Sequence, residues 1–157
     1  MSDCIFCKIL AGDIPSTKVY ESDRVAAFLD IGPMEKGHVL VVPKRHWPTL
    51  ADVPAPLAGE DRAVWDELFD VVRRLATAAV RAGWAGANVL QCNGEAAGQT
   101  VGHLHFHVIP RPAGGAVPPA FESGAARYAD AAERDAVAER LRAALAGVPS
   151  ADGRTSP

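Results

Sequence analysis

Polar and apolar side chains alternate without a break through His103-Leu104-His105-Phe106-His107-Val108, and this alternation limits the fold more than any other feature of the chain. A period of two is the repeat of an extended strand, in which residues i, i+2 and i+4 face one way. The three imidazoles are therefore expected on one face of a strand spanning residues 101–109. Leu104, Phe106 and Val108 face the other side and need an apolar partner to cover them.

Residues 59–82 can supply that partner. Val64, Leu68, Val71, Val72, Leu75 and Ala79 recur at three- and four-residue steps, which places them on one face of a long helix. Gly83 suits its C-terminal cap. Upstream, residues 4–10 make a turn or two of helix closed by Gly12 and Pro15. Residues 17–20 and 25–29 are β-branched or aromatic runs around a polar turn, a hairpin pattern. Residues 37–43 form an apolar third strand, and Pro48, Pro54 and Pro56 mark a loop. Residues 87–92 make a further strand, and Pro110 is expected to end the last one.

The remainder divides by composition. Residues 113–147 read as a Pro-, Gly- and Ala-rich arm followed by a helix over residues 130–146, with Val137, Leu141 and Leu145 stacked at four-residue spacing. Both are expected to pack on the domain core formed by residues 1–112, and residues 148–157 are expected to be a disordered tail. Five strands with one long helix inserted and another after them favour an α+β fold with an antiparallel sheet.

A length of 157 residues allows one domain but not two substantial cores. The net charge of −3 argues against a domain-wide footprint for a nucleic-acid polymer, though not against a small anion held by a few donors. No run reaches the ~18 to 20 continuous apolar residues of a membrane helix. The opening Met-Ser-Asp-Cys lacks the basic and apolar regions of a secretory signal. Three cysteines make a poor disulfide framework, so a reducing, cytoplasmic location is expected.

A histidine row has two chemical uses, metal binding and nucleophilic or acid–base catalysis. Along one straight strand, neighbouring histidines lie ~6.6 Å apart at Cα and the outer pair ~13 Å. Two neighbours can converge on one cation, whereas three would strain, so at least one imidazole is free for chemistry. The preceding turn, Gly98-Gln99-Thr100, offers close backbone approach, an amide and a hydroxyl, which are donors for a phosphate oxygen. Asn93, at the end of the preceding strand, is placed to orient an imidazole or to touch phosphate. Cys4 and Cys7 have the spacing of a zinc knuckle, and no early βαβ unit supports a redox role. Tetrahedral zinc needs two more ligands, for which His46 and His103 are the candidates. His38, in an apolar strand, is assigned a structural role.

The run His103-Leu104-His105-Phe106-His107-Val108-Ile109 resembles the signature of the histidine triad (HIT) family. The resemblance extends to residues 4–16, to Ala-Phe-Leu-Asp-Ile at 27–31, to Gly-His-Val-Leu-Val-Val-Pro-Lys-Arg-His at 37–46 and to Asn-Gly-Glu-Ala-Ala-Gly-Gln at 93–99. Within the family the chain looks most like the bacterial branch related to nucleoside phosphoramidate hydrolases. That likeness implies a homodimer whose sheets run on across the interface, and two-step hydrolysis at the α-phosphorus of a purine nucleotide of the adenosine type. It also implies roles for individual residues. His105 is the nucleophile and His107 its phosphate-side assistant. Asn93, Gly98, Gln99 and Thr100 surround the phosphate, Asp30 meets the ribose, and Phe6, Phe28 and Ile31 form the base pocket. Cys4, Cys7, His46 and His103 match the structural zinc set of some bacterial members. Thr100 stands where many relatives carry Ser, with the hydroxyl kept. Related nucleotidyl transferases carry Gln as third member of the triad, so His107 favours hydrolysis. Two alternatives use the same residues: cleavage of diadenosine polyphosphates, and a nucleotide-binding or zinc-stabilised interaction module with little turnover. The resemblance says nothing about residues 113–157.

Overall fold

The computed structural model describes residues 3–115, 124–151 and 153. Five strands, β1 (Lys18–Glu21), β2 (Val25–Leu29), β3 (Val39–Pro43), β4 (Gly86–Leu90) and β5 (Phe106–Arg111), form one antiparallel sheet in the order β1-β2-β3-β5-β4. Three α-helices accompany it: α1 (Ile5–Ala11), α2 (Gly59–Arg81) and α3 (Ala131–Ala146). This is the expected α+β architecture.

The central strands β2 and β3 are buried on both faces, and the pleat sorts the side chains of the sheet between them. Val25, Ala27 and Leu29 of β2, with Val39 and Val41 of β3, join Leu104, Phe106 and Val108 in one apolar cluster. Val64, Leu68, Val71, Val72 and Leu75 of α2 close that cluster, so the periodic face read from the sequence is the face that is buried. Phe28, Leu40 and Val42 point the other way and pack under Phe6 and Ile9 of α1. Helices α2 and α3 thus cover one face, and α1 shares the opposite face with the histidines.

Helix ends follow charge and capping chemistry. Glu60 and Asp61 lie in the first turn of α2 and Arg81 in its last, each complementing the helix dipole. Asp130 caps α3 by accepting from the Glu133 N–H at 2.8 Å. Leu141 and Leu145 of α3 enter the same cluster as α2, which seats this helix on the main core.

Two expectations are corrected. The last strand begins at Phe106 and runs through Pro110 to Arg111. The β3 ladder stops at Val39↔Val108, so a proline two residues later removes no rung on that side. The segment from residue 148 is also not free. Val148 is buried, its carbonyl accepts from Arg74 Nε at 3.1 Å, and Ala151 N–H donates to Asp70 Oδ1 at 3.0 Å. A buried arginine in the middle of α2 provides that anchor, and helical periodicity carries no sign of it. Residues 116–123 of the expected arm and residues 152 and 154–157 of the expected tail lie outside the described residues. Among the described residues, no helix is long and apolar enough to cross a membrane.

Leu104 is fully buried between two of the histidines. Leu104→Ala is expected to destabilise the protein by about 2–5 kcal/mol, read as a lowered urea midpoint with an unchanged slope.

Candidate active site and cysteine–histidine cluster

His103 and His105 precede β5, yet they keep the orientation that alternation demands. Leu104 N–H donates to the Trp47 carbonyl at 2.6 Å, holding the backbone extended without a strand partner. Leu104 then points under α2, while His103 and His105 meet Phe6 edge-on, with centroids 6.0 and 5.1 Å away. His105 and His107 meet edge-to-face at 4.8 Å. The three imidazoles do share one face.

Their hydrogen bonds define their tautomers. His105 Nδ1 lies 2.7 Å from the His103 carbonyl, which can only accept, so Nδ1 carries the proton and Nε2 keeps a lone pair. The next ring is fixed through His38. Met34 N–H donates to His38 Nδ1 at 3.1 Å, so the His38 proton sits on Nε2. That nitrogen is 2.9 Å from His107 Nδ1 and donates to it, leaving the His107 proton on its own Nε2. Adjacent rings therefore offer opposite functions, a bare nitrogen on His105 and an N–H on His107.

Burial keeps these rings neutral. Desolvation is the main cause of lowered proton affinity at His38 (about 4), at His107 (about 3) and at His105. Asp30 partly opposes it at His38, with Oδ2 at 3.5 Å from Nδ1, while Arg111 adds to it. His38 is thus more than a structural residue. It joins the triad only because β3 pairs with β5, across 69 residues of sequence. The local signal, a histidine at the head of an apolar strand, also fits an ordinary core histidine.

The remaining member of the row serves another cluster. His103 Nε2 donates to the Pro43 carbonyl at 2.9 Å, which turns the Nδ1 lone pair outward. That Nδ1 lies 3.5 Å from Cys4 Sγ, 3.6 Å from Cys7 Sγ and 3.2 Å from His46 Nδ1, while Cys7 Sγ is 3.3 Å from His46 Nδ1. A tetrahedral zinc with bonds of ~2.0–2.1 Å to nitrogen and ~2.3 Å to sulfur needs ligand separations of about 3.3–3.8 Å. The four distances lie in or next to that range, and all four ligand atoms lie within 4.8 Å of one another, so the donor set suits such a cation.

Other expected site residues are placed less simply. Gln99 is buried and its amide is spent on the backbone: Oε1 accepts from Gly94 N–H at 2.7 Å, and Nε2 donates to the Pro48 and Val101 carbonyls at 2.7 and 3.0 Å. It builds the 93–99 loop, and no side-chain N–H remains for a phosphate. Asn93 Oδ1 accepts from Leu50 N–H at 2.9 Å and its Nδ2 donates to Gln91 at 2.6 Å. Among the described residues, no hydrogen bond joins it to a triad histidine. Gly98 is exposed, and Thr100 is exposed beside an open cleft of about 450 Å³ shared with Cys4 and His46. Phe6 and Phe28 are buried edge-to-face at 5.7 Å, so they form a floor beneath the histidines. Ile31 is fully exposed, and Asp30 Oδ1 accepts from Gly32 N–H at 2.8 Å.

The HIT domain model matches residues 11–114. The chain belongs to the HIT family. This HIT protein is 48% identical over 111 residues to Protein hit of Bacillus subtilis, covering 69% of this chain and 71% of that one. It is 44% identical over 109 residues to an adenosine 5'-monophosphoramidase of Schizosaccharomyces pombe, covering 69% and 74%. Among solved structures it resembles a Zn-bound histidine triad family protein of Mycobacterium smegmatis, with a TM-score of 0.76 and 37% identity over 92% of this chain and 94% of the other.

A neutral buried histidine ties the HIT fold to pH. The proton affinity of His38 is lower folded than unfolded, so its contribution to stability is complete above about pH 6.5. It is lost as pH falls from there toward about 4, at roughly 1.4 kcal/mol per pH unit. Denaturation midpoints from pH 7 to 4.5 should show this acid-side loss, and His38→Gln should reduce its slope, with the buried His105 and His107 supplying the remainder.

Proposed function

We propose that this protein hydrolyses adenosine phosphoramidates, and related 5'-nucleotide derivatives, at the α-phosphorus. The observation that carries the reading is the pair of opposite tautomers on adjacent rings, a bare Nε2 on His105 beside the Nε2–H of His107. The likeness to a monophosphoramidase supports the P–N bond as the one broken.

In the first step His105 Nε2 attacks phosphorus and the P–N bond breaks, its electron pair leaving with nitrogen. The positive charge that develops on the imidazole is shared with Nδ1–H, whose acceptor, the His103 carbonyl, is already in place. The leaving nitrogen needs a proton. An anionic phosphate beside His107 raises the proton affinity of the His38–His107 pair and opposes the effect of burial, so with substrate bound the pair takes up one proton from solvent. His107 Nε2 delivers the proton to the amine. In the second step water attacks the nucleotidyl-histidine, its proton returns to His107, and the monophosphate leaves His105 neutral. Asp30 and the exposed Ile31 mark the side on which ribose and base lie, over the Phe6 and Phe28 floor. Backbone groups near Gly98 and the Thr100 hydroxyl, with Asn93, complete the phosphate surroundings.

Cys4, Cys7, His46 and His103 hold structural zinc in this reading, tying the start of α1 to the segments after β3 and before β5. The donor set and its separations support it. Three cysteines outside any disulfide accord with a reducing, cytoplasmic setting. A second copy of the chain is proposed to pair along β4, an edge strand with Val89 exposed, where Phe69 of α2 is also exposed.

Incubation with an adenosine phosphoramidate should release the monophosphate, and rapid quench should trap an adduct that mass spectrometry maps to His105. His105→Asn should abolish both, and turnover by that variant at the wild-type rate would overturn the mechanism. His107→Asn should lower kcat on the order of 10²- to 10⁴-fold. Protein purified without added metal should contain one equivalent of zinc, and Cys4→Ser with Cys7→Ser should lose it and melt earlier.

A further inference from the structure

The loop from Asp30 to His38 joins β2 to β3, and it presents the Met34 N–H that fixes the His38 tautomer. Within the loop, Gly32 N–H donates to Asp30 Oδ1, Lys36 N–H to Glu35 Oε1, His38 N–H to the Glu35 carbonyl and Asp30 N–H to the His38 carbonyl. The loop is braced from outside by a segment beyond the family-matched residues 11–114. Gly124 N–H donates to the Gly32 carbonyl at 2.8 Å and Ala126 N–H to the Pro33 carbonyl at 3.0 Å. Gly37 N–H donates to Tyr128 Oη at 2.9 Å, and Lys36 Nζ pairs with Glu133. Four consecutive attachments run along the loop and end beside His38.

Gly37 is the tightest point. Its φ of +91° suits glycine, and a Cβ there would meet Trp84 at 3.0 Å and Pro110 at 3.2 Å. The Arg140 guanidinium of α3 lies 4.0 Å from the centre of the Trp84 ring. The residue before His38 is therefore held between an aromatic wall and a phenolic oxygen. The bracing segment is itself anchored, because Glu133 accepts from Ala129 N–H at 2.6 Å at the capped start of α3. Leu141 and Leu145 then root α3 in the main core.

We infer that Tyr128 is a positioning residue for the His38–His107 pair, and that residues 124–133 set the reactivity of a site they do not enter. This rests on the hydrolytic reading above for its kinetic consequence, but not for its structural one. Tyr128→Phe removes one oxygen and leaves Gly37 N–H without its acceptor, freeing the peptide next to His38. Nothing about Tyr128 touches the nucleotide in that reading, so binding is spared.

With adenosine phosphoramidate as substrate, Tyr128→Phe should lower kcat by about tenfold, the worth of one hydrogen bond, with KM changed less than about twofold. Glu133→Gln, which weakens the Lys36 tether, should act in the same direction with a smaller loss. The imidazole nitrogen chemical shifts of His38 and His107 should move in both variants, while those of His105 stay. Wild-type kcat and unmoved shifts in Tyr128→Phe would overturn the inference, as would a lowered Tm with kcat and shifts intact, which marks a role in stability alone. If wild-type protein turns over no phosphoramidate, the hydrolytic reading fails by itself. The nitrogen shifts of the two variants still decide the positioning role.

Discussion

Leu104, Phe106 and Val108 are pinned beneath α2, and their burial turns the intervening histidines toward the opposite face. Each large apolar side chain removed from water contributes about 1.5–3 kcal/mol, and a one-residue slip would expose all three while burying the imidazoles against hydrocarbon. Register along this segment is therefore set by the core. The site inherits it. The same demand extends past the end of the ladder, where Leu104 keeps its place through the Trp47 carbonyl although no strand runs beside it.

Burial on the site face has an electrostatic consequence. Imidazoles packed under Phe6 and beside one another lose water, and desolvation favours the neutral form of each. A neutral imidazole has one donor and one acceptor nitrogen, so each ring's partner dictates its neighbour's role. The sequence of bonds from Met34 N–H through His38 to His107 ends in an outward N–H, and the His103 carbonyl leaves His105 with an outward lone pair. Charged rings would present N–H groups only, and the distinction between the two would vanish.

His103 shows how one row can serve two ends. Its Nε2 is tied to the Pro43 carbonyl, and its Nδ1 faces two thiols and a second imidazole. The cluster gathers residues from the start of α1, from the segment after β3 and from the segment before β5. These are the pieces that flank the Phe6 packing against His105. Beyond the family-matched region, residues 124–133 reach back to the Asp30–His38 loop, so this described segment contacts the site's support.

Alternation around Leu104 and Phe106 and the three-to-four repeat of α2 were legible because each is a local periodicity with one geometric solution. The knuckle spacing of Cys4 and Cys7 is also local, and the fold brings them together with His46 and His103, while strand spacing makes three ligands from one straight segment a strained set. The position of His38 was not legible, because its partner lies 69 residues away and meets it only through the β3–β5 pairing. Gln99 was read as a phosphate donor from its place in a glycine-bearing turn, but its amide is consumed by carbonyls of Pro48 and Val101. Arg74 and Val148 likewise meet through space. What the sequence determined by itself was which side chains share a face, because period is a property of neighbours along the chain. Which nitrogen carries each proton, and which amide is left to bind anything, was decided only by the tertiary structure, because hydrogen bonds are satisfied by whatever the fold brings within reach.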